Sequence, residues 1–322
     1  MHRPGLLDHI DTQNYPSFRT SGGKPCSQPQ RETSLHKDLP TPKDRRLFAA
    51  MPNQMEIPIL QIDAFAAEPF TGNPAAVCLT ATEPEAVWMQ QVAAEMNLSE
   101  TAFTWPSGDG FGLRWFTPIA EVDLCGHATL ATAHALWETG ILSNGFPAIF
   151  RTRSGRLTAK QNGRFIEMDF PSEPAIPCKP TEALSMALGT DLLWCGQNQF
   201  DYLVQVADEP AVLELLPDLS LLAKLDRRGV IVTAEANSAE ANFVSRFFCP
   251  ALGISEDPVT GSAHCCLAPF WSKRIGHEKL VGFQASKRGG YVYCTMNGDR
   301  VLLSGQAITV FSGKIMPPSP GT

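Results

Sequence analysis

The chain contains the stretch Leu113-Arg-Trp-Phe-Thr-Pro-Ile-Ala-Glu-Val-Asp-Leu-Cys-Gly-His-Ala-Thr129 and repeats its pattern at Ser245-Arg-Phe-Phe-Cys-Pro-Ala-Leu-Gly-Ile-Ser-Glu-Asp-Pro-Val-Thr-Gly-Ser-Ala-His264. Both copies begin with an Arg-aromatic-Phe-x-Pro segment, which predicts a strand. An acidic turn follows in each copy, and a Gly-polar-Ala sequence then predicts the start of a helix. The repeated pattern predicts two related halves.

The helix that follows each acidic turn is apolar on most of its faces and ends near a glycine, Gly140 or Gly276. A helix without a polar face is usually buried. Its N-terminus then lies inside the protein, with free backbone N–H groups and the positive end of the helix dipole. We expect the helix starts at Gly126-His127-Ala128 and Gly261-Ser262-Ala263 to face each other across a cleft that binds an anion.

Composition excludes several classes of function. The chain has 322 residues, enough for two domains that each bury a core. A formal net charge of -7 argues against nucleic acid or an anionic membrane as a partner. No apolar run reaches the length of about 18 residues that a membrane-spanning helix needs. The nine cysteines include no CxxC motif, which is typical of a reducing compartment and predicts a cytoplasmic protein.

The chain divides into three regions. Residues 1–55 are rich in Pro, Ser, Thr, Gln and charged residues, so we predict a disordered N-terminal extension. Residues 56–147 and 148–322 are predicted as the two halves, and the strand near 305–313 can return to the first half. The predicted fold class is α+β, with pseudo-dyad-related halves that each curl a mostly antiparallel sheet around one buried helix.

Glu100 lies in Asn97-Leu-Ser-Glu-Thr-Ala-Phe103, between a predicted helix and a predicted strand. A carboxylate at such a junction beside apolar neighbours can have a raised pKa and act as a general acid or base. The alternative is an ordinary solvated loop glutamate.

His127 and Ser262 occupy matching positions at the two helix starts, so we predict that both contact one ligand. A histidine there can also simply bond to the acidic turn at Asp123. Asp257 precedes the second helix and either caps it or pairs with His127 or the ligand. Gly72-Asn73-Pro74 predicts a turn whose backbone can line the cleft.

Cys125 precedes the first helix, where a helix dipole can activate a thiol. The second copy has Thr260 at that position, so a two-thiol mechanism lacks its partner, and we favour a packing role. His264, Cys265 and Cys266 are adjacent on a helix and point to different sides, so no metal site is predicted. No phosphate-binding loop and no GxGxxG motif occur.

Six segments in order resemble the phenazine-biosynthesis PhzF-like family, which shares the diaminopimelate-epimerase fold. They are Gln61-Ile-Asp-Ala-Phe65, Phe70-Thr-Gly-Asn-Pro-Ala-Ala-Val77, Asn97-Leu-Ser-Glu-Thr-Ala-Phe103, Arg114-Trp-Phe-Thr-Pro118, Asp123-Leu-Cys-Gly-His-Ala-Thr129 and Asp257-Pro-Val-Thr-Gly-Ser-Ala263. The resemblance runs from about residue 57 to the C-terminus and leaves only the N-terminal extension outside.

The resemblance implies an active site between the halves, with Glu100, His127 and Asp257 as catalytic residues. It also implies that Ser262 and the backbone at Gly126 and Gly261 bind a small carboxylate substrate, and Asn73 is assigned to the same binding site. The implied reaction moves a proton without a cofactor or a metal, and a homodimer is common in the family.

Three functions follow from these residues. The first is a cofactor-independent isomerase that shifts a proton on a small unsaturated carboxylate, with Glu100 as the base. The second is a thiol-based amino-acid racemase or epimerase centred on Cys125. The third is a non-catalytic protein that binds a small molecule in the same cleft.

Overall fold

The computed structural model describes residues 56–317, so the predicted extension at residues 1–55 lies outside the described residues. The helices are α1 (Ala86–Met96), α2 (Gly126–Glu138), α3 (Glu182–Leu188), α4 (Glu209–Leu213), α5 (Leu219–Leu222) and α6 (Gly261–Ile275). The strands are β1 (Ile57–Ala64), β2 (Asn73–Leu79), β3 (Glu100–Ser107), β4 (Gly110–Phe116), β5 (Glu121–Val122), β6 (Ala148–Thr152), β7 (Gly155–Asn162), β8 (Phe165–Pro171), β9 (Ile176–Pro177), β10 (Trp194–Gln197), β11 (Asp201–Gln205), β12 (Gly229–Glu235), β13 (Phe243–Phe248), β14 (Lys279–Gln284), β15 (Gly290–Asn297), β16 (Arg300–Gly305) and β17 (Ala307–Ile315).

The strands form two series with the same pairing pattern. The first series is β17-β1-β2-β3-β4-β6-β7-β8, and β5 pairs with β4 at its side. The second series is β9-β10-β11-β12-β13-β14-β15-β16. In both series the third and fifth pairs are parallel and the other pairs are antiparallel. The pairing of β8 with β16 joins the two series edge to edge.

The division between the halves differs from the predicted boundary near residue 147. Strands β6, β7 and β8 continue the first series because β6 pairs with β4. The chain therefore changes half at residues 172–175, between β8 and β9. It changes back between β16 and β17, because β17 pairs with β1 along eight residues. The boundary was placed too early because the loop at 143–147 breaks the chain without ending the sheet.

Helix α2 packs against β1, β2, β3, β7, β8 and β17, strands from both ends of the first series. The first sheet is therefore curled around this helix. Helix α6 packs against β14, β15 and β16 in the second series. Both helices are buried along most of their length, as their apolar sequences predict. The predicted α+β fold with two related halves is confirmed.

Candidate active site

Glu100 is the first residue of β3, at the point where the chain leaves α1. Asn97 closes α1 in the left-handed conformation (φ 49°), and its backbone N–H donates to the carbonyl of Ala93. Asparagine tolerates this conformation better than most residues. The turn aligns β3 in parallel with β2, with Glu100 opposite Ala75. Glu100 is only 6% exposed, so the alternative of a solvated loop glutamate is wrong.

The acidic turn before each buried helix is fixed by an arginine from the preceding strand. Arg114 makes two hydrogen bonds of 2.7 Å to the Glu121 carboxylate. Arg246 makes the equivalent bonds to Glu256, at 2.7 and 3.0 Å. Bidentate pairs of this kind are rigid and directional. The repeated sequence thus holds both helix starts in the same way.

The two helix N-termini meet at Gly126 and Gly261. A Cβ placed on either glycine lies 4.0 Å from the Cα atom of the other. The N-cap residues Cys125 and Thr260 make no side-chain cap hydrogen bond, so neither occupies the N–H groups of the first helical turn. This arrangement provides two positive helix ends for one anion, as the sequence predicts.

A cavity of about 330 Å³ lies between the two halves at these helix ends. Six of the seven predicted site residues line it: Glu100, Gly126, His127, Asp257, Gly261 and Ser262. The predicted residue Asn73 is not among the lining residues, because it is fully buried behind them. The cavity is also lined by the apolar side chains of Phe170, Phe247 and Ile254.

Glu100 and His127 form a close buried pair. Glu100 Oε2 lies 3.1 Å from His127 Nε2, and both residues are more than nine-tenths buried. The two atoms are near in distance but poorly aligned, so neither has a hydrogen-bond partner within residues 56–317. A buried polar atom without a partner is costly and is expected where a ligand supplies the missing contact.

Asn73 links the two halves behind this pair. Its amide nitrogen donates to Asp257 Oδ1 and to the Val259 carbonyl, both at 3.0 Å, and lies 3.3 Å from His127 Nδ1. The same ring nitrogen lies 3.5 Å from Cys125 Sγ, so Nδ1 faces Asn73 and Cys125 while Nε2 faces Glu100. Asn73 therefore contacts His127 and Asp257 from behind the cavity wall, and its role in substrate binding stays a prediction.

The Asp257 side chain is held from its own half as well. Its second oxygen accepts the hydroxyl of Thr260, and Gln284 Nε2 donates to its carbonyl at 2.8 Å. Burial raises the pKa of Asp257 to about 6, with a smaller contribution from the Glu100 charge in the same direction. His127 and the two hydrogen bonds oppose this shift. Asp257 therefore titrates near neutral pH, in the range useful for proton transfer.

Burial alone lowers the pKa of His127, but Cys125 and Glu100 together raise it well above the ordinary value for histidine. Glu100 acts on the imidazole from 3.1 Å. Burial and the same carboxylate raise the pKa of the Cys125 thiol to about 11. The thiol is therefore protonated at neutral pH, although it lies at a helix N-terminus.

Glu100, Cys125 and His127 each offer a possible ligand atom within 4.8 Å of the others. His264 points elsewhere: its Nδ1 lies 2.9 Å from the Thr260 carbonyl inside the second half. The absence of a metal stays a prediction.

Two residues of the site were not found from the sequence. Gln284 binds the Thr260 backbone N–H at 2.8 Å and so fixes the start of α6. Arg228 lines the cavity and donates to Ser262 Oγ at 3.0 Å. When the two halves are aligned on the repeated motif, Gly229 corresponds to Glu100. Each of these residues directly precedes the first paired residue of its strand, in the pair β3–β4 or the pair β12–β13. That alignment directs attention to Arg228, but nothing local distinguishes Gln284.

The fold and the cavity define a class of two-half α+β protein with a buried glutamate–histidine pair beside two helix N-termini. The sequence profile of the PhzC-PhzF family, phenazine biosynthesis-like protein, matches residues 62–313. The chain belongs to this family, and the resemblance seen in its motifs is confirmed.

Similar proteins agree with this assignment. An uncharacterized isomerase of Halalkalibacterium halodurans is 51% identical over 264 residues, which cover 81% of this chain and 99% of the relative. The crystal structure of a PhzF-family phenazine biosynthesis protein from Enterococcus faecalis has a TM-score of 0.78 and 41% identity, covering 81% of this chain and 99% of that one. A predicted epimerase from Pseudomonas aeruginosa shares the fold, with a TM-score of 0.63, 22% identity and coverage of 81% and 100%.

The chain is an enzyme of the isomerase class, as its relatives indicate. Within residues 56–317, no helix is both long enough and apolar enough to cross a membrane.

Proposed function

We propose that the protein is a cofactor-independent isomerase that shifts a proton on a small unsaturated carboxylate, with Glu100 as the acid–base residue. The observations that carry this proposal are that Glu100 lines the cavity and that its buried Oε2 atom has no hydrogen-bond partner within the described residues. A general base must have an oxygen available to the substrate proton. Glu100 meets this requirement.

In the proposed reaction, the substrate carboxylate lies between the helix starts at Gly126 and Gly261. Glu100 removes a proton from a carbon conjugated with this carboxylate, and the electron pair of the broken C–H bond moves into the π-system. The backbone N–H groups stabilise the negative charge that develops there. Glu100 then returns the proton to another carbon of the same π-system, so no atom is gained or lost.

His127 and Asp257 support this proton transfer in the proposal. His127 Nε2 lies 3.1 Å from Glu100 Oε2, close enough for the two side chains to exchange a proton. Asp257 holds Asn73, which in turn lies against the other nitrogen of the imidazole ring. This series of contacts fixes the orientation of the His127 ring.

A thiol-based racemase centred on Cys125 is less well supported. The Cys125 pKa is raised to about 11, so little thiolate exists at neutral pH. At the matching position of the second half, the hydroxyl of Thr260 donates to Asp257 and cannot replace a second thiol.

The test is incubation of the purified protein in D₂O with a panel of small carboxylates and a metabolite extract, followed by mass spectrometry. We expect deuterium uptake into one class of unsaturated carboxylate with the wild-type protein and none with Glu100→Gln. Uptake that is lost with Cys125→Ala but kept with Glu100→Gln would instead support the thiol mechanism. Ligand-induced stabilisation without any deuterium uptake would support the non-catalytic binding protein.

Two further properties belong to the proposal. We infer a homodimer from the family resemblance, and sedimentation equilibrium of the purified chain tests it. We also infer a cytoplasmic location from the cysteine usage, and cell fractionation tests it.

A further inference from the structure

Arg228 connects a buried aspartate to the anion-binding end of α6. Its Nε and Nη2 atoms bind the two Asp201 oxygens at 3.0 and 2.6 Å, and Nη2 also donates to Ser262 Oγ at 3.0 Å. Asp201 is 1% exposed, and the Arg228 side chain is 11% exposed. The bidentate pair fixes both the position and the orientation of the guanidinium plane.

Two aromatic rings restrict the same guanidinium further. The Phe200 ring centroid lies 5.3 Å from Arg228 Cζ, and the Phe247 centroid lies 5.5 Å from it. Cations at these distances are attracted by the faces of the rings. Both phenylalanines also line the cavity, so Arg228 is part of the cavity wall and not of the outer surface.

The bond from Arg228 decides what the Ser262 hydroxyl can do. A serine hydroxyl has one hydrogen to donate and lone pairs that accept. Because Arg228 occupies one lone pair, the hydroxyl keeps its hydrogen and one further lone pair. Toward a carboxylate, which only accepts, it donates the hydrogen. No acceptor for that hydrogen occurs among residues 56–317, and the exposed side of Ser262 faces the cavity.

The other half of the site has a comparable arrangement. His127 occupies the position in α2 that Ser262 occupies in α6, and its partner Glu100 lies at the start of β3. Arg228 lies directly before β12, the strand that matches β3 in the pairing pattern. One half thus presents Glu100 beside His127, and the other presents Arg228, paired with Asp201, beside Ser262. A ligand carboxylate at the α6 end meets the Ser262 hydroxyl and the N–H groups of the first helical turn.

We propose that Arg228 is the positioning residue of the anion site, which fixes Ser262 as a hydrogen-bond donor and orients a carboxylate toward α6 and away from Glu100. This rests on the proposed function in that the carboxylate belongs to the substrate. In this inference the substrate is a small carboxylate whose apolar part contacts the cavity wall at Phe170 and Phe247. Orientation of this kind leaves the reacting carbon near Glu100.

Binding of benzoate, with benzamide as its neutral isostere, tests this role by isothermal titration calorimetry on the full chain. We expect Arg228→Gln to weaken benzoate binding about tenfold while benzamide binding stays within about twofold. Arg228→Lys restores part of the affinity because it keeps the charge. Arg300→Gln is the matched control, since Arg300 lines the same cavity but binds Asp169 at 2.7 Å. It should change benzoate affinity less than about twofold.

A double-mutant cycle separates a positioning role from a structural one. If Arg228 acts through Ser262, Arg228→Gln costs less than about threefold in a Ser262→Ala background. Equal losses for benzoate and benzamide, or additive effects in the cycle, would overturn the inference. Failure of the wild-type protein to bind benzoate would also overturn the inference, and it would refute the proposed anion site as well. If benzoate behaves as expected but no carboxylate takes up deuterium, the proposed isomerase reaction fails and the role of Arg228 stands.

Discussion

Replacing Glu100 with glutamine keeps the shape of the side chain and removes its ability to accept a proton. General acid–base catalysis by one positioned group contributes about 10²- to 10⁴-fold to a rate. We therefore expect Glu100→Gln to lower deuterium exchange into the substrate by at least about 100-fold. The rate is measured by mass spectrometry in D₂O.

The same substitution has a second effect that requires no substrate. At the observed 3.1 Å between Glu100 Oε2 and His127 Nε2, two unit charges at an effective dielectric constant of 20 interact by roughly 5 kcal/mol. We expect the His127 pKa to fall in Glu100→Gln, because the attraction of the carboxylate is removed and burial then dominates.

Nuclear magnetic resonance titration of ¹⁵N-histidine-labelled protein measures this change. The chain has seven histidines, and comparison with a His127→Gln spectrum assigns the relevant signal. The signal of His264, identified by comparison with His264→Gln, serves as a control in the same titration. Burial lowers the His264 pKa to about 4, and Glu100 does not contribute to this shift. The His264 signal should be the same in wild type and Glu100→Gln.

The pKa of His127 also sets the pH dependence of stability. Since its folded-state pKa is raised, its stabilising contribution is complete below the unfolded value near 6.5 and disappears as pH rises through the folded-state value. The Tm difference between wild type and Glu100→Gln is therefore largest near pH 6, at a few degrees, and shrinks at higher pH. An unchanged His127 pKa, or retained exchange with a large loss of Tm at every pH, would refute the assignment of Glu100.

Three other predictions concern the same cavity. Cys125→Ala should keep deuterium exchange within about threefold of wild type, because the raised pKa leaves the thiol protonated; a loss as large as that of Glu100→Gln would contradict this. Benzoate should bind about fivefold more tightly as pH falls through about 6, because protonation of Asp257 removes a negative charge from the cavity. Calorimetry measures this change, and the control Asp257→Asn should show no such pH dependence. Gly126→Ala should fold with a nearly unchanged Tm, because its Cβ meets only ordinary contacts at 3.8 and 4.0 Å, yet weaken benzoate binding about tenfold by filling the gap between the helices. Deuterium exchange that persists after dialysis against a chelator would agree with the predicted absence of a metal.

The sequence by itself determined the two buried helices and what lies at their starts. The repeated segments carry the Arg–Glu pairs, the apolar helices and the glycines within short stretches of chain. Such patterns are local, so they can be recognised without knowing the packing. The position of Glu100 at the start of a strand and of His127 at a helix start followed from the same local patterns.

The tertiary structure decided how the halves are divided and which side chains meet. The change of half at residues 172–175 depends on β6 pairing with β4, a choice between sheet edges that no local pattern encodes. Asn73 reaches Asp257 across 184 residues of sequence. The bond from Arg228 to Ser262 spans 34 residues and joins the residue before β12 to the start of α6.

The roles of the site residues depend on these distant contacts. A carboxylate or thiol has its pKa set by burial and by neighbouring charges, and both are properties of the packed protein. Cys125 illustrates this, because its place at a helix N-terminus predicts an activated thiol while burial beside Glu100 raises its pKa to about 11. The sequence thus determined which groups lie at the helix ends, and the packing determined which of them can exchange a proton.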